Sequence, residues 1–308
     1  LKCLSIVIPF LNDGESLVHT LENISETSKI QDLDIIVVDD HSNTLTFDET
    51  KKFNIRYMRN RERMGVAYSR DIGSHVTQSD NILFLDAHMR FKESGWVEKI
   101  TSAINRSPNT LFCSTCIPMS SEHDDLSTIS DRYYGATIEL TTNQKGLARE
   151  IIEPKWITEH DSDTIPCVLG ACYAFNKAKY HSLRGLEGLK GWGGDEIYLS
   201  MKYWLSGGSC ELLSDLEVGH LFRDKAPYKT DIPLLILNKI FICSVLFPEN
   251  ISSLLIDKLP RDPDFEEATM EFRRNLEQII EYRKYYKEAM EEDFSSVCQL
   301  LNIHVPDV

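Results

Sequence analysis

The order of short apolar runs in the first ninety residues restricts the fold of this chain more than any other feature. Residues 4–10 (LSIVIPF) are β-branched and apolar, and they break at Asn12, Asp13 and Gly14. Residues 15–28 then place Leu17, Leu21 and Ile24 on one helical face. A second apolar run covers 33–38 and a third, shorter one covers 54–59. Met64 and Gly65 open a helical segment that continues to His75, and the run Asn81-Ile82-Leu83-Phe84-Leu85 follows. These runs are too short for helices, and their lack of alternation marks strands covered on both faces. Strand, helix, strand, helix, strand predicts a doubly wound parallel α/β sheet. Neither a GxGxxG turn nor a P-loop is present, so those two phosphate-binding devices are excluded.

Ligands of open α/β sheets bind beyond the carboxyl ends of the strands. The run at 81–85 delivers Asp86, Ala87 and His88 there. Extended backbone would point Asp86 and His88 the same way and turn Ala87 aside. A carboxylate with an imidazole suits Mn²⁺ or Zn²⁺ better than Ca²⁺, while the competing reading is a polar turn after a core strand. At the end of the second run, Asp39 or Asp40 could accept from a ribose or base, or serve as an Asx turn or cap. Farther on, His220 could complete the ligand set, and Arg223 offers a fork suited to phosphate oxygens. Glycines around Trp192 let backbone approach a ligand, and the indole offers a flat face to a sugar or base. Asp195 and Glu196 fall in the first turn of a helix over 197–204, where acids also complement the helix dipole.

The remainder reads as a helix over 91–104, a strand over 111–117, an acidic loop over 120–130 and strands over 136–140 and near Trp156. Residues 232–247 are apolar but short, and they contain Asn238 and Lys239, so they predict a buried helix rather than a membrane span. A single charged amphipathic helix is expected over 265–290, with no catalytic motif in the tail. The net charge of -15 argues against a sequence-independent nucleic-acid binder, yet a divalent metal would still admit an anionic substrate. Most of the eight cysteines sit in apolar runs, which predicts buried thiols in a reducing compartment. Residues 4–10 read as a core strand rather than a signal peptide, so a soluble, cytoplasmic protein is expected.

Taken together, these motifs resemble the catalytic domain of the polypeptide N-acetylgalactosaminyltransferases and, more broadly, the GT-A glycosyltransferases. The carriers are residues 4–12, Val37-Val38-Asp39-Asp40, Glu62-Arg63-Met64-Gly65 with Ser69-Arg70, Phe84-Leu85-Asp86-Ala87-His88, Gly191-Trp192-Gly193-Gly194, and Val218-Gly219-His220-Leu221-Phe222-Arg223 followed by Pro227-Tyr228. They occur in order from about residue 4 to about residue 249. The resemblance implies a GT-A domain over 1–230 with a helical extension over 231–308. It implies Asp86, His88 and His220 as ligands of Mn²⁺, or of Mg²⁺ in its place, which holds the diphosphate of a UDP-sugar. It places Pro9, Asp40, Arg63, Ala87, Trp192, Arg223 and Tyr228 against the donor. The implied acceptor is a peptide or protein Ser, Thr or Cys side chain. A glycan or lipid-linked acceptor, or a degenerate sugar-nucleotide-binding module, stands as the alternative.

Two departures bear on mechanism. Where those transferases have Trp-Gly-Gly-Glu-Asn, this chain has Trp192-Gly193-Gly194-Asp195-Glu196. Inverting GT-A enzymes with Trp-Gly-Gly-Glu-Asp are similar there too, and in them the last acid deprotonates the acceptor. Either Glu196 or Asp195 is therefore the candidate carboxylate that orients or deprotonates the acceptor. Ala226 stands where the family carries a donor-contacting histidine, which leaves the sugar open. The family's lectin repeat and membrane anchor are not visible in this stretch, and Golgi residence would apply only to a clipped catalytic domain.

Overall fold

The computed structural model describes residues 2–43, 50–141, 151–223 and 229–306. Its centre is an eight-stranded mixed sheet. The strands are β1 (Leu4–Phe10), β2 (Leu33–Asp39), β3 (Ile55–Arg59), β4 (Asn81–Leu85), β5 (Met89–Phe91), β6 (Thr110–Met119), β9 (Cys172–Asn176) and β10 (Ser209–Leu221). Their spatial order is β3-β2-β1-β4-β9-β6-β10-β5. A separate hairpin pairs β7 (Ala136–Leu140) with β8 (Ile152–Trp156). The first half is parallel, as the apolar runs predict. The second half departs from a purely parallel sheet, because β9 runs antiparallel between β4 and β6 and β5 runs antiparallel to β10.

Alternate residues of β1 serve opposite cores. Leu4, Ile6 and Ile8 pack with Leu17, Leu21 and Ile24 of α1 (Gly14–Thr27). Val7 faces the other way, towards α2 (Val66–His75) and a larger core. Buried strands of this kind need cover on both faces, which explains their largely apolar sequence. Next come α3 (Trp96–Arg106), α4 (Lys177–Ser182) and α5 (Asp195–Leu205). After them lie α6 (Ile232–Leu246), α7 (Glu249–Ile256), α8 (Pro263–Arg274), α9 (Leu276–Ala289) and α10 (Phe294–Leu300).

Two expected helices begin or break differently. Phe91 belongs to β5, and the helix that follows starts only after Gly95, whose φ of 90° turns the chain. The long helix expected over 265–290 is two, divided at Asn275, whose side chain bonds back to the Glu271 carbonyl (2.8 Å) and competes with the helical ladder. Helix α6 is buried as expected, and no described helix is long and apolar enough to cross a membrane. All eight cysteines are free, and seven of them are buried.

Candidate active site

Beyond Leu85 the chain does not stay extended; Asp86, Ala87 and His88 form a turn into β5. Strand alternation therefore does not direct Asp86 and His88, yet their side chains still converge. Strand β5 pairs antiparallel with β10, with Met89 opposite His220, and the Leu221 N–H donates to the His88 carbonyl (3.1 Å). This register carries His220 across 132 residues of sequence to His88, Nε2 to Nε2 at 3.1 Å. His220 Nε2 also lies 3.8 Å from Asp86 Oδ2. One ligand atom from each of the three side chains falls within 4.8 Å of the others.

The electrostatics suit a cation. Burial, helped by His88, pushes the His220 imidazole below its ordinary value, so its lone pair is available at neutral pH. Burial pushes the Asp86 carboxyl up, but Arg70 and His220 outweigh it and bring it down to about 2. A firmly anionic carboxylate with two imidazoles fits a divalent ion of the Mn²⁺ class, by donor set and by convergence.

The cluster forms one wall of a cavity of about 620 Å³. Pro9, Asp40, Arg63, Ala87, Trp192 and Arg223 line it as well. Asp40 already accepts from the Met64 and Gly65 N–H groups and from Asn60 Nδ2, each at 2.8 Å, so its carboxylate also braces a loop. Gly65 in turn abuts Gly191: a Cβ there would stand 2.2 Å from the Gly191 oxygen, and φ is +96°. That contact joins the loop after β3 to the Trp192 turn, whose indole is 48% exposed. Arg63 donates to the Lys229 carbonyl (3.2 Å). Arg223 does not present an empty fork, because its guanidinium is held by Asp13 (2.7 and 3.0 Å) and by Ser16 (2.6 Å). Tyr228 and Ala226 lie outside the described residues.

The two acids at the start of α5 have different surroundings. Asp195 is buried, paired with Arg70 and within 3.2 Å of the Tyr173 hydroxyl, which donates to it. Glu196 is partly exposed on the cavity wall beside Gly170. Burial, and next the Asp195 carboxylate, hold the Glu196 carboxyl well above the usual carboxylate range. A cavity-facing carboxyl that holds its proton more tightly than usual is a candidate for proton exchange with a bound ligand.

Several residues at the site have partners that the sequence motifs do not reveal. Arg70, 3% exposed, bridges Asp86 (2.6 Å), Asp195 and the Gly170 carbonyl (2.6 Å). Asp13 was legible only as part of a strand-ending turn. The outer wall adds Tyr133, Trp156 and Phe222, with ring centroids 4.8 to 6.1 Å apart, and several apolar residues of α6. The tail that shows no motif thus still shapes the site. Local sequence carries no signal for such contacts, because every one of them is made across the fold.

Comparisons with known proteins identify the family and the fold. A sequence profile for glycosyl transferase family 2 matches residues 5–165, just over half of the chain. Over 239 residues the chain is 29% identical to human polypeptide N-acetylgalactosaminyltransferase 10, covering 73% of this chain and 38% of that protein. It is 27% identical to the Caenorhabditis elegans polypeptide N-acetylgalactosaminyltransferase 5 over 267 residues, covering 78% and 41% of the two chains. The chain therefore spans about two fifths of these relatives. The crystal structure of GalNAc-T7 with UDP, GalNAc and Mn²⁺ superposes with a TM-score of 0.70 at 18% identity, over 97% of this chain and 57% of that one. S. aureus TarS in complex with UDP-GlcNAc gives 0.57 at 14% identity, over 98% and 84%. At these identities the superpositions establish a shared fold, the GT-A arrangement that the motifs imply.

Proposed function

This chain belongs to glycosyl transferase family 2, and we propose that it transfers a sugar from a UDP-sugar to the side-chain hydroxyl of a peptide serine or threonine. The observation that carries this reading is the convergence of Asp86, His88 and His220 on the wall of a cavity that also holds Glu196. Mn²⁺ held by these three side chains would supply positive charge to the diphosphate leaving group. The peptide acceptor is supported by the names of the curated relatives, polypeptide N-acetylgalactosaminyltransferases.

The roles of the chain's own residues follow from their surroundings. The exposed Trp192 indole shapes the sugar pocket from a glycine-rich turn that abuts Gly65. Arg223 stands at the edge of the ligand cluster, where a guanidinium stabilises charge developing on the departing oxygen. Glu196 takes the proton from the acceptor hydroxyl as that oxygen bonds to the anomeric carbon. The carbon–oxygen bond to diphosphate breaks and its electron pair leaves with UDP. Asp195, occupied by Arg70 and Tyr173, orients the start of α5. An in-line displacement of this kind inverts the anomeric carbon.

The test is UDP release from a panel of UDP-sugars with Mn²⁺, Mg²⁺ or EDTA, with and without peptide and glycan acceptors. Metal-dependent release with one preferred donor, raised by peptide, is expected. A parallel thermal-shift panel reads binding alone; a ligand at a hundred times its dissociation constant stabilises a fold by about 2.7 kcal/mol. No release and no shift with any donor would overturn the reading, and stimulation by glycans alone would overturn the peptide acceptor.

A further inference from the structure

Asp13 occupies the position just before α1, where an aspartate ordinarily accepts from the first free N–H groups of a helix. Here its side chain makes no such bond. The carboxylate instead lines the cavity. Oδ2 meets His88 Nδ1 at 2.8 Å and Arg223 Nη1 at 3.0 Å, and Oδ1 accepts from Arg223 Nη2 at 2.7 Å. A residue chosen only to start a helix would not give up the cap to link side chains 75 and 210 positions away.

An imidazole whose Nδ1 faces a carboxylate carries its proton there and presents a bare Nε2. The Nε2 of His88 is the atom aimed at His220 and the metal cluster. His220 has no equivalent support among the described residues, where its buried Nδ1 finds no hydrogen-bond partner. Its ring is placed by the pairing of β10 with β5 and by an edge-on contact with Phe222 at 4.3 Å between centroids. The two histidines are thus oriented by different means, one through a carboxylate and the other through backbone register and packing. Carboxylates behind metal-bound histidines set the ring's tautomer and its basicity, and their loss weakens metal binding.

We infer that Asp13 is a positioning residue of the metal site: it sets His88 with Nε2 free for a divalent cation and holds Arg223 at the edge of the same cluster. The inference rests on the metal-dependent donor site proposed above. A purely structural staple between α1 and β10 would affect stability but not cation affinity.

The experiment titrates Mn²⁺ into the full chain, following free Mn²⁺ by electron paramagnetic resonance, alone and with UDP. Asp13→Asn is nearly isosteric and should keep a cooperative melt while binding Mn²⁺ about 10- to 100-fold more weakly. A folded Asp13→Asn protein that binds Mn²⁺ within twofold of wild type overturns the inference and leaves the donor site standing. Wild-type protein that binds no Mn²⁺, with or without UDP, overturns both. A second measurement needs no folded Asp13 variant: ring nitrogen shifts of His88 in the wild type, assigned by their loss in His88→Gln. A protonated Nδ1 with a bare Nε2 supports the inference, and a protonated Nε2 refutes it.

Discussion

Glu196→Gln separates the chemistry of this site from its architecture. Gln keeps the shape of Glu196 and resembles its protonated form, so the fold should tolerate it. Asp195 offers no replacement base, because Arg70 and the Tyr173 hydroxyl already engage it. Loss of a general base costs about 10²- to 10⁴-fold in rate, or roughly 2.7 to 5.4 kcal/mol of barrier at 1.36 kcal/mol per decade. The assay is UDP-sugar turnover with acceptor at saturating Mn²⁺, with UDP binding measured alongside. Wild-type kcat/KM should rise with pH as Glu196 gives up its proton, and the variant should lack that limb. Stability should change in the opposite sense. The ordinary value for this carboxyl is 4.5, and the folded protein retains the proton to higher pH. The protonated form therefore favours the fold at low pH, and that advantage is lost as pH climbs through the folded value. Gln keeps it, so the variant should match wild type near pH 4 and exceed it at alkaline pH. Near-normal transfer by Glu196→Gln would refute the base assignment and favour a mechanism that retains configuration.

Three further outcomes follow from the same geometry. His220→Ala should abolish Mn²⁺-dependent UDP release while leaving a cooperative melt; unchanged turnover at limiting Mn²⁺ would sink the three-ligand site. Burial lowers His220 below the usual value of 6.5, so its contribution to metal-free stability is complete above that pH and declines as pH falls through the folded value. A melting series from pH 7.5 to 5 should show that decline in wild type and a smaller one in His220→Gln, and equal slopes would count against it. Arg70→Met leaves Asp86 and Asp195 without their buried cation, which should cost about 3 to 5 kcal/mol in denaturant unfolding. A loss under 1 kcal/mol would show that the network matters little.

Much of the fold is legible in the chain because it rests on local patterns. Runs rich in β-branched residues such as 4–10 and 33–38 fit strands covered on both faces, and Leu17, Leu21 and Ile24 share one face of a helix. Asn275 shows the limit of that logic: amphipathic spacing continues through it, and a side-chain bond to the Glu271 carbonyl decides that the helix divides there.

By itself the sequence determined the succession of strands and helices, and it placed Asp86, His88 and the Asp195–Glu196 pair at element ends where ligands bind. Tertiary structure decided which of these groups meet. Asp86 and His88 converge through a turn rather than through strand alternation, and His220 joins them because β5 pairs with β10 in one register. Arg70 pairs with Asp195, Glu196 lines the cavity beside it, and the Asp13 carboxylate leaves its helix uncapped to hold His88 and Arg223. Periodicity records how a segment meets the core, so it can be read locally. A hydrogen bond between side chains 75 or 210 residues apart depends on the closure of the whole sheet, and no local pattern encodes it.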